Sequence, residues 1–190
     1  MEDLIATQTP HRRLLDPDEA IAELERAVPG FDALRLAVPA TFDWPALEAA
    51  LGSPVPADYQ RLCELYPPFV LGDFLSVHHP TAGREREWPQ WLQDDLETVA
   101  EWCEDSDPVI PLRPYPSPGG FLPWGGSNQG DVFLWSTSPA GPQEWTVTVA
   151  SRSGAWWHYS GGLVQFLADL TSEAIHPWGL PRVRPQSRPW

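Results

Sequence analysis

The residues of this sequence that are best suited to chemistry form an acidic cluster near the middle of the chain. Its members occupy one face and the end of a predicted helix: Asp94, Asp95, Glu97, Glu101, Glu104, Asp105 and Asp107. Carboxylates could act as the acid–base pair of a glycoside hydrolase, but such a pair must face each other across a cleft. No spacing in the sequence identifies a facing pair, so the pattern favours a solvated surface or a partner-binding surface over catalysis.

The remaining residue types with catalytic or ligand chemistry carry no recognisable site pattern. His78 and His79 are adjacent in a predicted strand, where neighbouring side chains point to opposite sides and do not easily share a metal ion. The glycine-rich run 125–130 is followed by no lysine and lies between predicted strands, which favours a hairpin turn over a phosphate loop. Cys63 and Cys103 lack metal-ligand spacing, which predicts two buried, reduced thiols. The sequence therefore predicts no catalytic residue, metal or cofactor, and a protein that is not an enzyme.

Charge and composition narrow the choice of partner. The 190 residues include 26 acids and 12 arginines but no lysine, for a net charge of −14, and 22 of the acids lie in the first 110 positions. This balance argues against direct nucleic-acid binding, which needs a basic surface. The net negative charge fits binding to a basic partner protein, and it fits equally well a role in keeping the protein in solution. No apolar run is long enough to span a membrane, and the acidic first residues do not resemble a signal peptide, so we expect a cytoplasmic protein.

The elements that must position these residues follow from capping and periodicity. Helices are predicted to begin after Asp16 and Asp43, each followed closely by proline, and the second ends at Gly52. Further segments complete the prediction: a helix over 57–66, a strand over 69–77 broken at Gly72-Asp73, a helix over 88–104, strands over 121–124, 132–136, 145–150 and 155–159, and a helix over 161–170. Residues 1–15 are predicted to be a mobile lead-in. This order predicts an α+β fold, a single domain with one antiparallel sheet and helices beside it.

Two groups of residues resemble a known family. The first is the helix start Leu51–Gln60, which contains the pattern Val-Pro-x-Asp-Tyr, and the second is Gly119–Gly125 followed by Gly130–Trp135 and Glu144–Val147. Their order and spacing resemble the SUKH superfamily, which unites bacterial toxin-immunity proteins with a fungal regulator of cell-wall synthesis. The resemblance implies a SUKH-like domain over residues 42–172, an N-terminal extension with one helix over 1–41, and a Pro/Arg-rich tail over 173–190.

The resemblance implies a function that differs from catalysis. It predicts an immunity protein that binds and neutralises a cognate bacterial toxin domain, with the acidic cluster as the partner-binding face. One alternative is an intracellular regulatory adaptor of the same fold. The eleven tryptophans leave open a carbohydrate-binding or hydrolytic protein. Of these tryptophans, we expect Trp124, Trp135 and Trp145 in the core and Trp178 and Trp190 at the surface.

Overall fold

Within the residues that the structure describes, eight strands form one mixed sheet with helices on both faces. A computed structural model describes residues 6–104 and 112–190. The strands are β1 (Thr7–Gln8), β2 (Phe69–Leu71), β3 (Leu75–Val77), β4 (Phe121–Ser127), β5 (Val132–Ser136), β6 (Thr146–Ala150), β7 (Trp156–Tyr159) and β8 (Ser187–Pro189). They lie in the order β1-β7-β6-β5-β4-β3-β2-β8. The α+β class and the single domain are confirmed.

The two edges of the sheet come from the ends of the chain. Neighbouring strands are antiparallel except at one edge, where β1 pairs in parallel with β7. The prediction of a mobile lead-in was therefore wrong for Thr7 and Gln8, whose backbone pairs with His158 and Tyr159. A two-residue strand is too short to show an alternating pattern, so it is recognised only by its pairing with a distant strand.

Six α-helices accompany the sheet in the described residues. They are α1 (Pro17–Ala27), α2 (Trp44–Leu51), α3 (Ala57–Leu65), α4 (Trp88–Trp91), α5 (Gln93–Glu104) and α6 (Leu163–Thr171). The predicted caps are confirmed, because the carboxylates of Asp16 and Asp43 accept backbone N–H bonds at the starts of α1 and α2. Gly52 ends α2 with a φ of 89°, a conformation that suits glycine.

The helix predicted over 88–104 is divided in the structure. The backbone at Leu92 leaves the α-helical region, with φ −88° and ψ 0°, so α4 ends there and α5 begins afresh at Gln93. Leu92 is buried at the break. The division places Asp94 and Asp95 in the first turn of α5, where the helix dipole favours negative charge.

Helices pack on both faces of the sheet, because successive side chains along each strand point to opposite faces. Trp124, Trp135 and Trp157 point to the face that carries α1, α3 and α6, where they join the main core. Leu134 and Trp156 point to the opposite face and pack with Val99 and Cys103 of α5. Burial of each such large side chain contributes roughly 1.5–3 kcal/mol. The sheet thereby fixes α5 with its apolar side inward.

The Val-Pro-x-Asp-Tyr pattern has a structural role at the contact between helices. The half-buried Asp58 accepts a hydrogen bond on its carboxylate from the Val164 N–H at 3.0 Å, and so caps α6, whose own N-cap residue, Gly162, has no side chain to do this. A Cβ at Gly162 would lie 2.7 Å from Asp58 Oδ2, which explains the glycine. Tyr59 donates its hydroxyl proton to the His78 carbonyl oxygen, which ties α3 to the end of β3.

Candidate functional site

The predicted acidic face lies on the outer side of α5. The exposed members are Asp94, Glu97, Glu101 and Glu104, while Asp95 is half-buried. Asp105 and Asp107 lie outside the described residues. We use the term acidic face for the five described members. Because Val99 and Cys103 hold one side of α5 against the sheet, the four exposed carboxylates are directed outward. Asp95 lies one turn before Val99, on the inner side of the helix, and its carboxylate approaches His78.

The acidic face has no compensating arginine in the part of the chain that the structure describes. Arginines there pair instead with acids elsewhere, such as Glu19, Glu25 and Asp73. Within the acidic face, Glu97 accepts a hydrogen bond from Gln93 at 3.0 Å, and Asp95 approaches His78. The face therefore presents net negative charge to solvent.

A groove of about 450 Å³ adjoins the start of α5. Its wall contains both carboxylates of the first turn, Asp94 and Asp95, and three tryptophans, Trp88, Trp91 and Trp190. Trp88 and Trp91 come from α4, whereas Trp190 follows β8 and is held beside Pro68 by a backbone hydrogen bond of 3.1 Å. The groove is assembled from three distant parts of the sequence.

Both histidines also line the groove, which differs from the sequence prediction. His78 and His79 follow the end of β3, so the alternation of side chains along a strand does not separate them. The backbone of His78 is held by two bonds, from its N–H to the Trp124 carbonyl at 2.8 Å and from the Tyr59 hydroxyl to its own carbonyl. Among the described residues, no group of three or more His, Cys, Asp or Glu side chains could hold a metal ion.

Burial keeps both imidazoles neutral at pH 7. It lowers the pKa of His79 to about 4, and the neighbouring His78 lowers it further. Burial also lowers the pKa of His78, although the carboxylate of Asp95, 3.6 Å from its Nδ1, acts in the opposite direction. The pKa of Asp95 is raised, chiefly by burial. At neutral pH neither imidazole therefore supplies a positive charge to the groove.

Several buried polar atoms around the groove lack a hydrogen-bond partner within the described chain. They are His78 Nδ1, His79 Nε2 and Trp88 Nε1. Buried polar groups are nearly always hydrogen-bonded in folded proteins, so three such atoms in one wall are unusual. The other three such atoms among the described residues, Arg13 Nε, Trp124 Nε1 and Trp135 Nε1, lie away from the groove, so the residues that line it hold half of the six.

The exposed tryptophans meet at the same place. Of the eleven tryptophans, only Trp91 and Trp190 expose more than 40 % of their surface, with values of 43 % and 73 %. The predicted exposure of Trp190 is confirmed, but Trp178 is half-buried because its ring packs edge-on against Trp157. Burial of Trp124, Trp135 and Trp145 is also confirmed.

Sequence reasoning found the acidic face but missed the groove. Nothing in the local pattern places Trp190 beside Pro68, because that contact depends on the pairing of β8 with β2. The signal available in the sequence was limited to Trp88 and Trp91 lying just before the acids. The two thiols are buried as predicted, and burial raises the pKa of Cys103 to about 11, which disfavours its reactive thiolate form.

Comparisons with known proteins do not identify a family for this chain. No protein-family model, curated protein or solved structure matched the chain. The resemblance to the SUKH superfamily therefore stays a prediction from the sequence. In the described part of the chain, no helix is both long and apolar enough to cross a membrane.

Proposed function

We propose that this protein is a non-catalytic binding domain that recognises a basic partner protein through the acidic face of α5. The observation that carries the proposal is the absence of any arginine partner for this face within the described residues, beside a groove with two exposed tryptophans. Aromatic residues, tryptophan above all, are enriched at protein interfaces, and complementary surface charge steers the encounter between partners.

The resemblance to the SUKH superfamily supports a specific partner. In that family's bacterial members, the binding protein is an immunity protein, so the partner would be a cognate toxin domain in the cytoplasm. A toxin that acts on nucleic acid carries a basic cleft, which an acidic surface complements. Electrostatic attraction would speed the encounter, and rapid capture matters when the toxin must be stopped before it acts.

The arrangement of carboxylates favours binding over hydrolysis. Glycoside hydrolases hold two carboxyl groups on opposite sides of the scissile bond. Here the acids project outward from one helix, so they present a charged stripe rather than a facing pair. The adaptor alternative uses the same surface and differs from immunity only in the partner it takes.

Growth rescue tests the proposed function. The toxin-like domain encoded nearest this gene is expressed in a sensitive host with and without this protein, and the two proteins are then co-purified. We expect rescue together with a stable complex. If an active toxin domain is neither neutralised nor bound, immunity is overturned and the adaptor alternative gains support.

Matched variants test which surface binds. The double variant Glu97→Lys with Glu101→Lys reverses two charges on the acidic face and should abolish rescue. The control, Asp32→Lys with Glu48→Lys, makes the same change in net charge at exposed acids that have no arginine partner in the described chain and lie on other elements. The control should rescue normally. Equal effects of the two variants would contradict a role specific to α5.

A further inference from the structure

The groove beside the acidic face has negative charge that nothing in the described chain neutralises. Asp94 has no cationic partner there, and the nearest basic group to Asp95 is the neutral imidazole of His78, at 3.6 Å. Asp95 is half-buried, so its charge is screened less than that of a fully exposed carboxylate. Two adjacent carboxylates in this setting favour a cationic occupant.

The aromatic wall is suited to a planar cation. Trp91 and Trp190 are the most exposed tryptophans and both line the groove. The ring of Trp91 is already covered in part by Arg84, whose Cζ atom lies 5.6 Å from the ring centroid and whose guanidinium pairs with Glu87, so a second guanidinium would use the exposed remainder of Trp91 and Trp190. Guanidinium groups stack on tryptophan faces and pair with carboxylates in a fork geometry, whereas an ammonium group acts as a point charge.

The unpartnered polar atoms supply a second, independent indication of a ligand. Trp88 is only 1 % exposed, and its indole N–H has no acceptor within the described residues. The same wall holds the unpartnered His79 Nε2. A cation alone gives the indole N–H no acceptor, but a peptide segment brings carbonyl oxygens together with its side chains.

We infer that this groove receives an arginine side chain of the partner protein, with its guanidinium against Asp94 and Asp95 and its plane against the exposed tryptophans. The inference deepens the proposed function and rests on it. The groove is continuous with the acidic face, so an arginine inserted here anchors a basic surface that lies along α5. Its volume, about 450 Å³, is within the range of small-ligand pockets and well below that of a whole helix.

A minimal probe tests the groove without the partner. The full chain is titrated with N-acetyl-arginine amide while the indole N–H resonances are followed by NMR, with Trp91→Phe and Trp190→Phe used to assign the two signals. The control probe is N-acetyl-citrulline amide, which has nearly the same shape but no charge. We expect the arginine probe to shift the Trp91 and Trp190 signals saturably and the citrulline probe to have little effect.

Variants locate the charge that binds. Asp94→Asn with Asp95→Asn should weaken the arginine probe by about fivefold or more, because a charge-assisted pair is lost. Glu97→Gln with Glu101→Gln removes the same charge farther along α5 and should change the affinity less than about twofold. If the first pair does not remain folded, Trp190→Ala alters only an exposed side chain and should also weaken binding, read from the Trp91 signal.

Other outcomes overturn the inference. Equal shifts from citrulline, shifts confined to other indoles, or unchanged binding in the Asp94/Asp95 variant would remove the arginine site. Equal affinity for N-acetyl-lysine amide would overturn the choice of arginine. The proposed function can fail independently of the arginine site. If the probe binds but no partner complex forms, the arginine site stands and the proposed function is overturned. If a complex forms that depends on Glu97 and Glu101 but the probe does not bind, the proposed function stands and the arginine site is overturned.

Discussion

At the scale of single residues, the histidine pair is the most sensitive part of the candidate site. His79 is half-buried, and the removal of its ring from water lowers its pKa to about 4, below the value near 6.5 expected in an unfolded chain. The folded state therefore binds fewer protons than the unfolded state between these values. Stability is fully present above pH 6.5 and is lost as the pH falls towards 4.

Replacement of this histidine should flatten the acid side of the stability profile. We expect His79→Gln to lose less free energy of unfolding than the native chain between pH 7 and pH 4.5, by on the order of 2 kcal/mol. Urea unfolding at a series of pH values measures the difference. Parallel profiles for the two proteins would show that His79 is not a buried neutral group.

Within the Val-Pro-x-Asp-Tyr pattern, Asp58 has a structural role, because its carboxylate caps α6. Removing its carboxylate in Asp58→Ala leaves the Val164 N–H without its acceptor, and we expect a loss of about 1–2 kcal/mol in the free energy of unfolding. Asp58→Asn keeps an acceptor oxygen and should cost clearly less. Urea unfolding distinguishes the two, and equal losses would show that capping of α6 is not what the carboxylate provides.

At the scale of elements, α5 combines good packing with unfavourable surface charge. Glu97 and Glu101 are exposed and four residues apart, so their like charges are neighbours on the helix. Such a pair destabilises a helix by about 0.2–0.5 kcal/mol. The presence of this destabilising charge pair on the surface of α5 fits selection for binding rather than for stability.

Neutral substitution on α5 should separate these two properties. Glu97→Gln with Glu101→Gln should leave the free energy of unfolding unchanged or raise it by up to about 0.5 kcal/mol, while association with the partner slows. Thermal or urea unfolding measures the first effect and binding kinetics the second. A clear loss of stability would indicate that these acids serve the fold itself.

At the scale of the whole molecule, the fold was largely predictable where its signals are local. Asp16, Asp43 and Gly52 marked helix ends through capping chemistry that involves only neighbouring residues. The hairpin strands β5, β6 and β7 were close to their predicted bounds because their alternation is read within a few residues. The break at Leu92 and the strands β1 and β8 were not predicted, because packing and pairing with distant residues determine them.

The candidate site likewise has one part that local sequence determines and one part that long-range contacts determine. The acidic face follows from helical spacing alone, so the sequence predicted most of it. The groove requires Trp190 of the tail, His78 after β3 and Trp91 of α4 to meet, and these contacts exist only once the sheet has formed. The tail is also held by charge, since Arg188 Nε lies 2.8 Å from the carboxylate of Asp73.

The net charge of −14 should affect the stability of the entire molecule. Acids outnumber arginines more than twofold, so the folded chain repels itself at low ionic strength. We expect the melting temperature to rise as sodium chloride is increased to about 0.2 M, where exposed charges are largely screened. Differential scanning calorimetry tests this, and a fall in melting temperature would mean that the ion pairs outweigh the repulsion.

The most direct test of the central claim, that the acidic face of α5 recognises a basic partner, is the rate of association with the partner obtained by growth rescue. The rate constant is measured by stopped flow from about 20 to 300 mM sodium chloride. We predict that the rate falls steeply with salt, and that Glu97→Lys with Glu101→Lys slows it at least about tenfold at low salt whereas Asp32→Lys with Glu48→Lys does so far less. A rate insensitive to salt, or equally slowed by both variants, would contradict the claim.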